Sequence, residues 1–225
     1  MKILILGAGA IGGYFGGRLH QAGADVTFLV REARAQHIAT HGLMLESPTD
    51  KATLQVKTVL AGQVKQEPAQ GDYDVVILAC KAYDLASSIA AITPAMGAND
   101  KSTPCVLPLL NGISHIATLD AAFGPERVMG GACQIAATLT PEGVVKALMP
   151  FQNIVWGRAP PGAGRAGAGA GPELCQHRRG LARVWRDHAR HVGEGGLPLH
   201  AGRHDLPDAW IGWRHIGRAR RRMAL

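Results

Sequence analysis

Residues 1–157 predict an α/β fold built on a doubly wound, mostly parallel sheet, and three observations carry that expectation. Short apolar runs recur along this stretch, separated by segments long enough for a helix. The first run, Lys2–Leu6, is continuously apolar rather than alternating, as a strand buried on both faces requires. That run ends in Gly7-Ala-Gly-Ala-Ile-Gly12, which leads straight into a helix-length segment.

Each element has its own reason. A helix is expected from Gly13 to Ala22, with Tyr14, Phe15, Arg18 and Leu19 at helical spacing and Gly23 ending it. Asp25–Val30 is a second strand and completes a βαβ opening. Leu54–Val59 and Tyr73–Leu78 are further strands, the latter followed by a helix over Asp84–Ile92. Cys105–Leu110 is a strand that Pro108 weakens as a ladder donor. Ile116–Ala122 is a helix, Val128–Ala137 a strand, and Val144–Leu148 with Asn153–Trp156 a hairpin turning around Met149-Pro150.

The glycine run carries the chemistry. Gly7 permits the tight turn, Gly9 lets the backbone approach a pyrophosphate, and Gly12 lets the helix pack close to the sheet. A helix N-terminus offers unpaired N–H donors and the positive end of a dipole to the anion. Gly7, Ala8, Gly9, Ala10, Ile11 and Gly12 are therefore the expected phosphate loop of a Rossmann-type domain. At the end of the second strand an NAD site usually places an acid for the ribose hydroxyl. Here Arg31 stands there, with Arg34 a turn later, and a guanidinium suits the extra phosphate of NADP(H). Lys81, just after the strand Tyr73–Leu78, and Asn111, after the next strand, fall where ligands sit in open α/β sheets. Lys81 can steady a phosphate or a carboxylate, and the Asn111 amide both donates and accepts.

Together these residues carry a resemblance. Gly7-Ala-Gly-Ala-Ile-Gly-Gly13, Arg31, Cys80-Lys-Ala-Tyr-Asp84, Leu110-Asn-Gly112, Val128-Met-Gly-Gly131 and Asn153-Ile-Val-Trp-Gly157 stand in the order and spacing of the ketopantoate reductases (2-dehydropantoate 2-reductases). The resemblance covers residues 1–157. It implies NADPH-dependent reduction of 2-dehydropantoate to pantoate, a step toward pantothenate and coenzyme A. It also implies cofactor contacts from Gly7, Gly9, Gly12, Arg31, Lys81 and Ala136, and an Asn111 that touches cofactor and substrate. A small 2-oxo acid as partner and, in intact members, a homodimer follow from it too, while the wide spacing of the four cysteines fits a cytoplasmic location. Leu110 departs from the glutamine often found there.

The remainder reads differently. Before residue 158 there are 11 Lys+Arg against 12 Asp+Glu; from Arg158 onward there are 13 Arg, no Lys and 5 acids. Ala159–Pro172 is low-complexity and cannot bury a core. Only 173–190 has helical length, and it is basic on nearly every face. The family's helical second domain, with its proton-donating lysine, is not recognisable, so no catalytic residue is retained. Read one nucleotide later, His191-Val-Gly-Glu permits Met-Trp-Glu-Lys, as in the family's catalytic stretch. The expectation is a disordered, out-of-frame tail over 158–225 and a chain impaired in reduction, or a catalytically dead NADP-binding remnant.

Other classes are disfavoured. The basic tail with Trp185, Trp210 and Trp213 suggests nucleic-acid stacking, but no module signature supports it. Tail histidines such as His200 and His204 lack a supporting helix beside Pro198 and Gly202, so no metal is expected. Cys80, Cys105, Cys133 and Cys175 are widely spaced, which argues against a disulfide framework or a zinc site. No apolar run reaches the 18 residues of a membrane span, and the glycines interrupt what would otherwise resemble a signal peptide. Without its helical partner the nucleotide domain is expected to expose an apolar face.

Overall fold

A computed structural model describes residues 1–64, 73–97 and 104–158. The low-complexity stretch, the segment 173–190, the tail tryptophans and histidines, and the expected disorder and frame change all lie outside the described residues.

In chain order the elements are β1 (Lys2–Leu6), α1 (Ala10–Gln21), β2 (Asp25–Leu29), α2 (Glu32–His41), β3 (Leu43–Glu46), β4 (Lys51–Leu54), β5 (Lys57–Val59), β6 (Val75–Leu78), α3 (Leu85–Ile92), β7 (Cys105–Pro108), α4 (Ser114–Phe123), β8 (Met129–Leu139) and β9 (Val145–Arg158). Five strands form a parallel sheet in the order β5-β2-β1-β6-β7. This is the expected α/β architecture. Its continuous apolar runs have a simple cause: successive residues enter opposite cores. Ile3, Ile5, Val26, Phe28, Val75 and Ile77 pack on one face, while Leu4, Leu29, Val76 and Leu78 pack on the other with residues of α3 and α4.

The first face carries a feature the sequence reading lacks. Strands β4-β3-β9-β8 form a second, mixed sheet, and its Leu43, Leu45, Val145, Ile154 and Trp156 share a core with Tyr14, Phe15 and Leu19 of α1. Helix α1 thus lies between two sheets, and its glycines make room. A Cβ added at Gly16 would lie 2.5 Å from both Ile5 Cδ1 and Phe28 Cζ on the parallel sheet. On the other side, one at Gly17 would lie 2.6 Å from Leu45 Cδ1, and one at Gly13 2.7 Å from Val145 Cγ2.

Arg18 anchors the same helix. It is 2% exposed, pairs bidentately with Asp50 in the β3–β4 turn at 2.5 and 2.6 Å, and lies 5.1 Å from the Tyr14 ring centroid. The helix ends as expected at Gly23. Ala24 N–H reaches Leu19 O at 3.0 Å and Gly23 N–H reaches His20 O at 2.9 Å, a Schellman closure with Gly23 at φ +84.

Several expectations need correction. Helix α1 starts at Ala10 rather than Gly13. The strand expected over Leu54–Val59 is split: β4 ends at Leu54 in the second sheet and β5 starts at Lys57 in the first. Helix α2 and strand β3 were not anticipated, because α2 is polar on most faces and β3 only four residues long. The hairpin does not turn at Met149-Pro150. It turns between β8 and β9 at Thr140–Val144, where Gly143 has φ +80, and β9 runs unbroken through Pro150. The register slips around Ala136, so residues 148–151 have no strand partner opposite, which is where a strand tolerates proline.

Cys80 and Cys133 are free thiols. Cys105 is disulfide-bonded, although the spacing of the cysteines argued against a disulfide framework; spacing along a chain does not limit which sulfurs meet in space. Exposed large apolar side chains among the described residues are Tyr83, Ile113, Leu139, Leu148, Met149 and Phe151. No helix among the described residues is long and apolar enough to cross a membrane.

Gly16→Ala is expected to cost about 1–3 kcal/mol by overpacking the α1 seat. Gly62→Ala, with nothing within 4 Å of the added atom, is expected to be near neutral. Urea unfolding of the two variants beside the parent measures the difference.

Candidate dinucleotide site

The strand order makes a crevice. From β1 the chain passes through α1 to β2 on one side, and β6 later returns on the other, so connections diverge at the carboxyl ends of β1 and β6. Ligands of open α/β sheets bind at such a switch point. Four of the sequence-selected segments follow strands of this one edge: Gly7–Gly12 after β1, Arg31 after β2, Lys81 after β6 and Asn111 after β7. Ala136 does not. It belongs to β8 of the second sheet, at the register slip.

The loop geometry follows from its glycines. Gly7 adopts φ +95 and donates its N–H to Leu29 O at 2.9 Å, which ties the turn to β2. A Cβ on Gly12 would sit 2.1 Å from Gly7 O and 3.0 Å from Ala79 Cβ, so only glycine lets α1 start this close to the strands. Gly9 differs: a Cβ there would meet no atom within 4 Å. Gly9 is also the N-cap of α1, and no side chain caps the helix or places an acid in its first turn. The first intrahelical bond runs from Gly13 N–H to Gly9 O at 2.8 Å. The preceding amides, including those of Ala10, Ile11 and Gly12, therefore lack intrahelical partners and sit at the positive end of the helix. A twelve-residue helix with an open glycine step before it and uncapped amides is suited to a pyrophosphate.

The cations flank this loop unequally. Arg31 is exposed and caps α2, its carbonyl accepting Arg34 N–H and Ala35 N–H, both at 3.0 Å. Arg34 is half-buried and already engaged. Its Nε donates to Ala8 O and its Nη1 to Gly143 O, both at 3.0 Å. Burial lowers its pKa, though a guanidinium keeps its charge. Nothing local in the sequence separates Arg34 from Arg31 as a free cation, because the distinguishing partner, Gly143, is 109 residues away.

Lys81 is exposed at the start of a 3₁₀ turn over Ala82–Asp84, beside Tyr83. Asn111 is exposed, followed by Gly112 at φ +83 and the exposed Ile113. This edge thus offers a cation and an amide beside apolar surface. Four residues after Asn111, in α4, His115 is 4% exposed, and its Nε2 is buried without a hydrogen-bond partner among the described residues. Desolvation lowers its pKa, so the ring is neutral at pH 7. Burial also pushes the Cys133 thiol up to about 11, which makes it an inert thiol rather than a nucleophile. Among the described residues no group of three or more His, Cys, Asp or Glu could hold a metal.

Comparison with known proteins places the family and the fold. Residues 3–161 match the family model described as ketopantoate reductase PanE/ApbA. The chain is 38% identical over 157 residues to an uncharacterized oxidoreductase, YkpB, of Bacillus subtilis, covering 70% of this chain and 48% of that one. It is 36% identical over 146 residues to the 2-dehydropantoate 2-reductase of Pyrococcus abyssi, covering 65% and 44%. Among solved structures, 2-dehydropantoate 2-reductase from Geobacter metallireducens superposes with TM-score 0.67 at 27% identity, covering 84% of this chain and 56% of that one. A D-mandelate dehydrogenase solved with NADH and anilino(oxo)acetate superposes with TM-score 0.64 at 26% identity, covering 88% and 56%. The chain spans about half the length of the curated relatives it matches.

His115 gives the domain a pH dependence. Its folded pKa lies below its ordinary 6.5, so its contribution is complete above pH 6.5 and is lost as pH falls toward the folded value. The parent is expected to lose stability between pH 7 and pH 5 more steeply than His115→Leu, as read by urea midpoints across that range.

Proposed function

Because this chain belongs to the ketopantoate reductase family PanE/ApbA, a family of oxidoreductases, we propose that its described domain is the cofactor-holding half of an NADPH-dependent 2-dehydropantoate reductase. The observation that carries this reading is the uncapped start of α1 behind the open Gly9 step, at the switch point of the parallel sheet.

Each residue has a distinct task in this reading. The amides of Ala10, Ile11 and Gly12 receive the pyrophosphate, with Gly7, Ala8 and Gly9 shaping the approach. Arg31, exposed and without an acidic partner among the described ion pairs, takes the additional phosphate that separates NADP(H) from NAD(H). Lys81 steadies a phosphate or the substrate carboxylate at the same edge. Asn111, whose amide can both donate and accept, would orient the 2-oxo acid beside the cofactor. Ala136 contributes backbone from the second sheet. The bound nicotinamide, in its reduced form, supplies the hydride that reduces the C2 ketone.

A proton must also reach the developing alkoxide. In the family that proton comes from a lysine of a helical second domain. This sequence has no lysine after Lys146, so we expect the chain to hold NADPH without turning over 2-dehydropantoate at an enzyme's rate. Steady consumption of NADPH with that substrate by the purified chain would contradict this part of the reading.

Cofactor choice is separately measurable. A charge-assisted hydrogen bond contributes about 1.5–3 kcal/mol. Arg31→Ala is therefore expected to weaken NADPH about 10- to 100-fold while leaving NADH nearly unchanged, by fluorescence titration of each. Gly9→Val should leave the unfolding midpoint close to the parent's and abolish binding of both, since the new side chain fills only the open step. Parent protein that binds neither nucleotide would end the proposal.

A further inference from the structure

Arg34 is a half-buried cation that the cofactor reading leaves without a task. It lies on α2, three residues before His37, and the two side chains face the turn between β8 and β9. Arg34 Nη1 donates to Gly143 O at 3.0 Å, and His37 Nε2 donates to Glu142 O at 3.0 Å. With Nε2 carrying the proton, His37 Nδ1 is an acceptor and receives Arg34 Nη1 at 3.4 Å. In the opposite direction Arg34 Nε donates to Ala8 O, inside the phosphate loop, at 3.0 Å. One guanidinium therefore joins the phosphate loop of the parallel sheet to the hairpin turn of the second sheet.

That bond has a directional consequence. A trans peptide is planar, with its C=O and N–H pointing opposite ways. Fixing the Ala8 carbonyl on Arg34 fixes the Ala8–Gly9 peptide plane, and with it the direction of the Gly9 N–H at the mouth of α1. Gly9 has no side chain and no neighbour within 4 Å of the Cβ position to do this instead. A direct phosphate contact suits Arg34 poorly: two of its three nitrogens are spent on backbone carbonyls, and the third, Nη2, is shut away from solvent. Burying a cation with no acid beside it among the described ion pairs is unfavourable, so the two carbonyl bonds are what hold it in place.

We propose that Arg34 is a positioning residue that sets the orientation of the phosphate loop and couples nucleotide affinity to the β8–β9 turn. The proposal rests on the nucleotide reading of the loop. It makes Gly143, which adopts φ +80 at the turn, a remote determinant of binding. A Cβ there would come within 2.3 Å of His37 Cε1 and 3.0 Å of Arg34 Nη1.

The test uses the full chain as parent, Arg34→Ala, Arg34→Lys, Gly143→Ala and Arg31→Ala. Nucleotide titrations are paired with hydrogen exchange of the loop amides 7–12 in the nucleotide-free protein. Arg34→Ala is expected to weaken NADPH and NADH by the same factor, about tenfold, and to speed exchange across the loop. Gly143→Ala should do the same from a distance, Arg34→Lys should recover part of the loss, and Arg31→Ala should change only the NADPH-to-NADH ratio. A loss confined to NADPH in Arg34→Ala would make Arg34 a phosphate contact and overturn the proposal, as would unchanged affinity with unchanged exchange. If Arg34→Ala does not fold, Gly143→Ala and Arg34→Lys decide by the same two readouts. Parent protein that binds neither nucleotide overturns the nucleotide reading, and loop exchange in the variants still decides the strap.

Discussion

The close seat of α1 between two sheets is the constraint on which the rest of this domain depends. A helix carrying full side chains on every face could not approach both layers at once. Here Gly16 meets Ile5 and Phe28 of the parallel sheet, and Gly13 and Gly17 meet Val145 and Leu45 of the second sheet. The large residues between them, Tyr14, Phe15 and Leu19, fill the shared core. Glycine is a poor helix former, by roughly 1 kcal/mol per residue relative to alanine. The packing of two sheets against the helix, and the Arg18–Asp50 pair that joins it to the β3–β4 turn, offset that weakness.

The same seat creates the binding chemistry. Because Gly12 lets α1 begin within van der Waals reach of Gly7 and Ala79, the positive end of the helix opens directly onto the switch point between β1 and β6. Gly9 gives it no side-chain cap, and its first turn holds no acid. Charge on the flanks is divided by burial. Arg31 is exposed, available to an anion, whereas Arg34 is drawn inward and spent on backbone carbonyls of the loop after β1 and the β8–β9 turn. Two arginines a turn apart in one sequence thus end up in different physical roles.

The parts of this protein that were legible in the sequence are those whose cause is local. Strands β1, β2, β6 and β7 were visible because burial on both faces demands unbroken apolar runs, and the Gly7–Gly12 loop because each glycine answers a local steric need. The hairpin was misread for the opposite reason. Met149-Pro150 has the composition of a turn, yet residues 148–151 stand opposite the register slip at Ala136 and need no ladder partner there. The real turn, Thr140–Val144, carries its own Pro-Glu-Gly turn signal. The strand expected over Leu54–Val59 was cut in two because its halves serve different sheets, which no period in the residues records.

By itself the sequence determined the parallel α/β layer, the glycine turn that leads into α1 and the family, since these follow from hydrophobic pattern, glycine sterics and residue order along the chain. Only the tertiary structure decided that a second sheet covers α1, that Arg34 is bonded to the Ala8 and Gly143 carbonyls, and that Ala136 belongs to the second sheet rather than the parallel one. Those outcomes depend on contacts between residues tens to a hundred positions apart, such as Arg34 with Gly143. Such contacts form because burying apolar surface brings distant segments together, and nothing in either segment's own neighbours encodes the meeting.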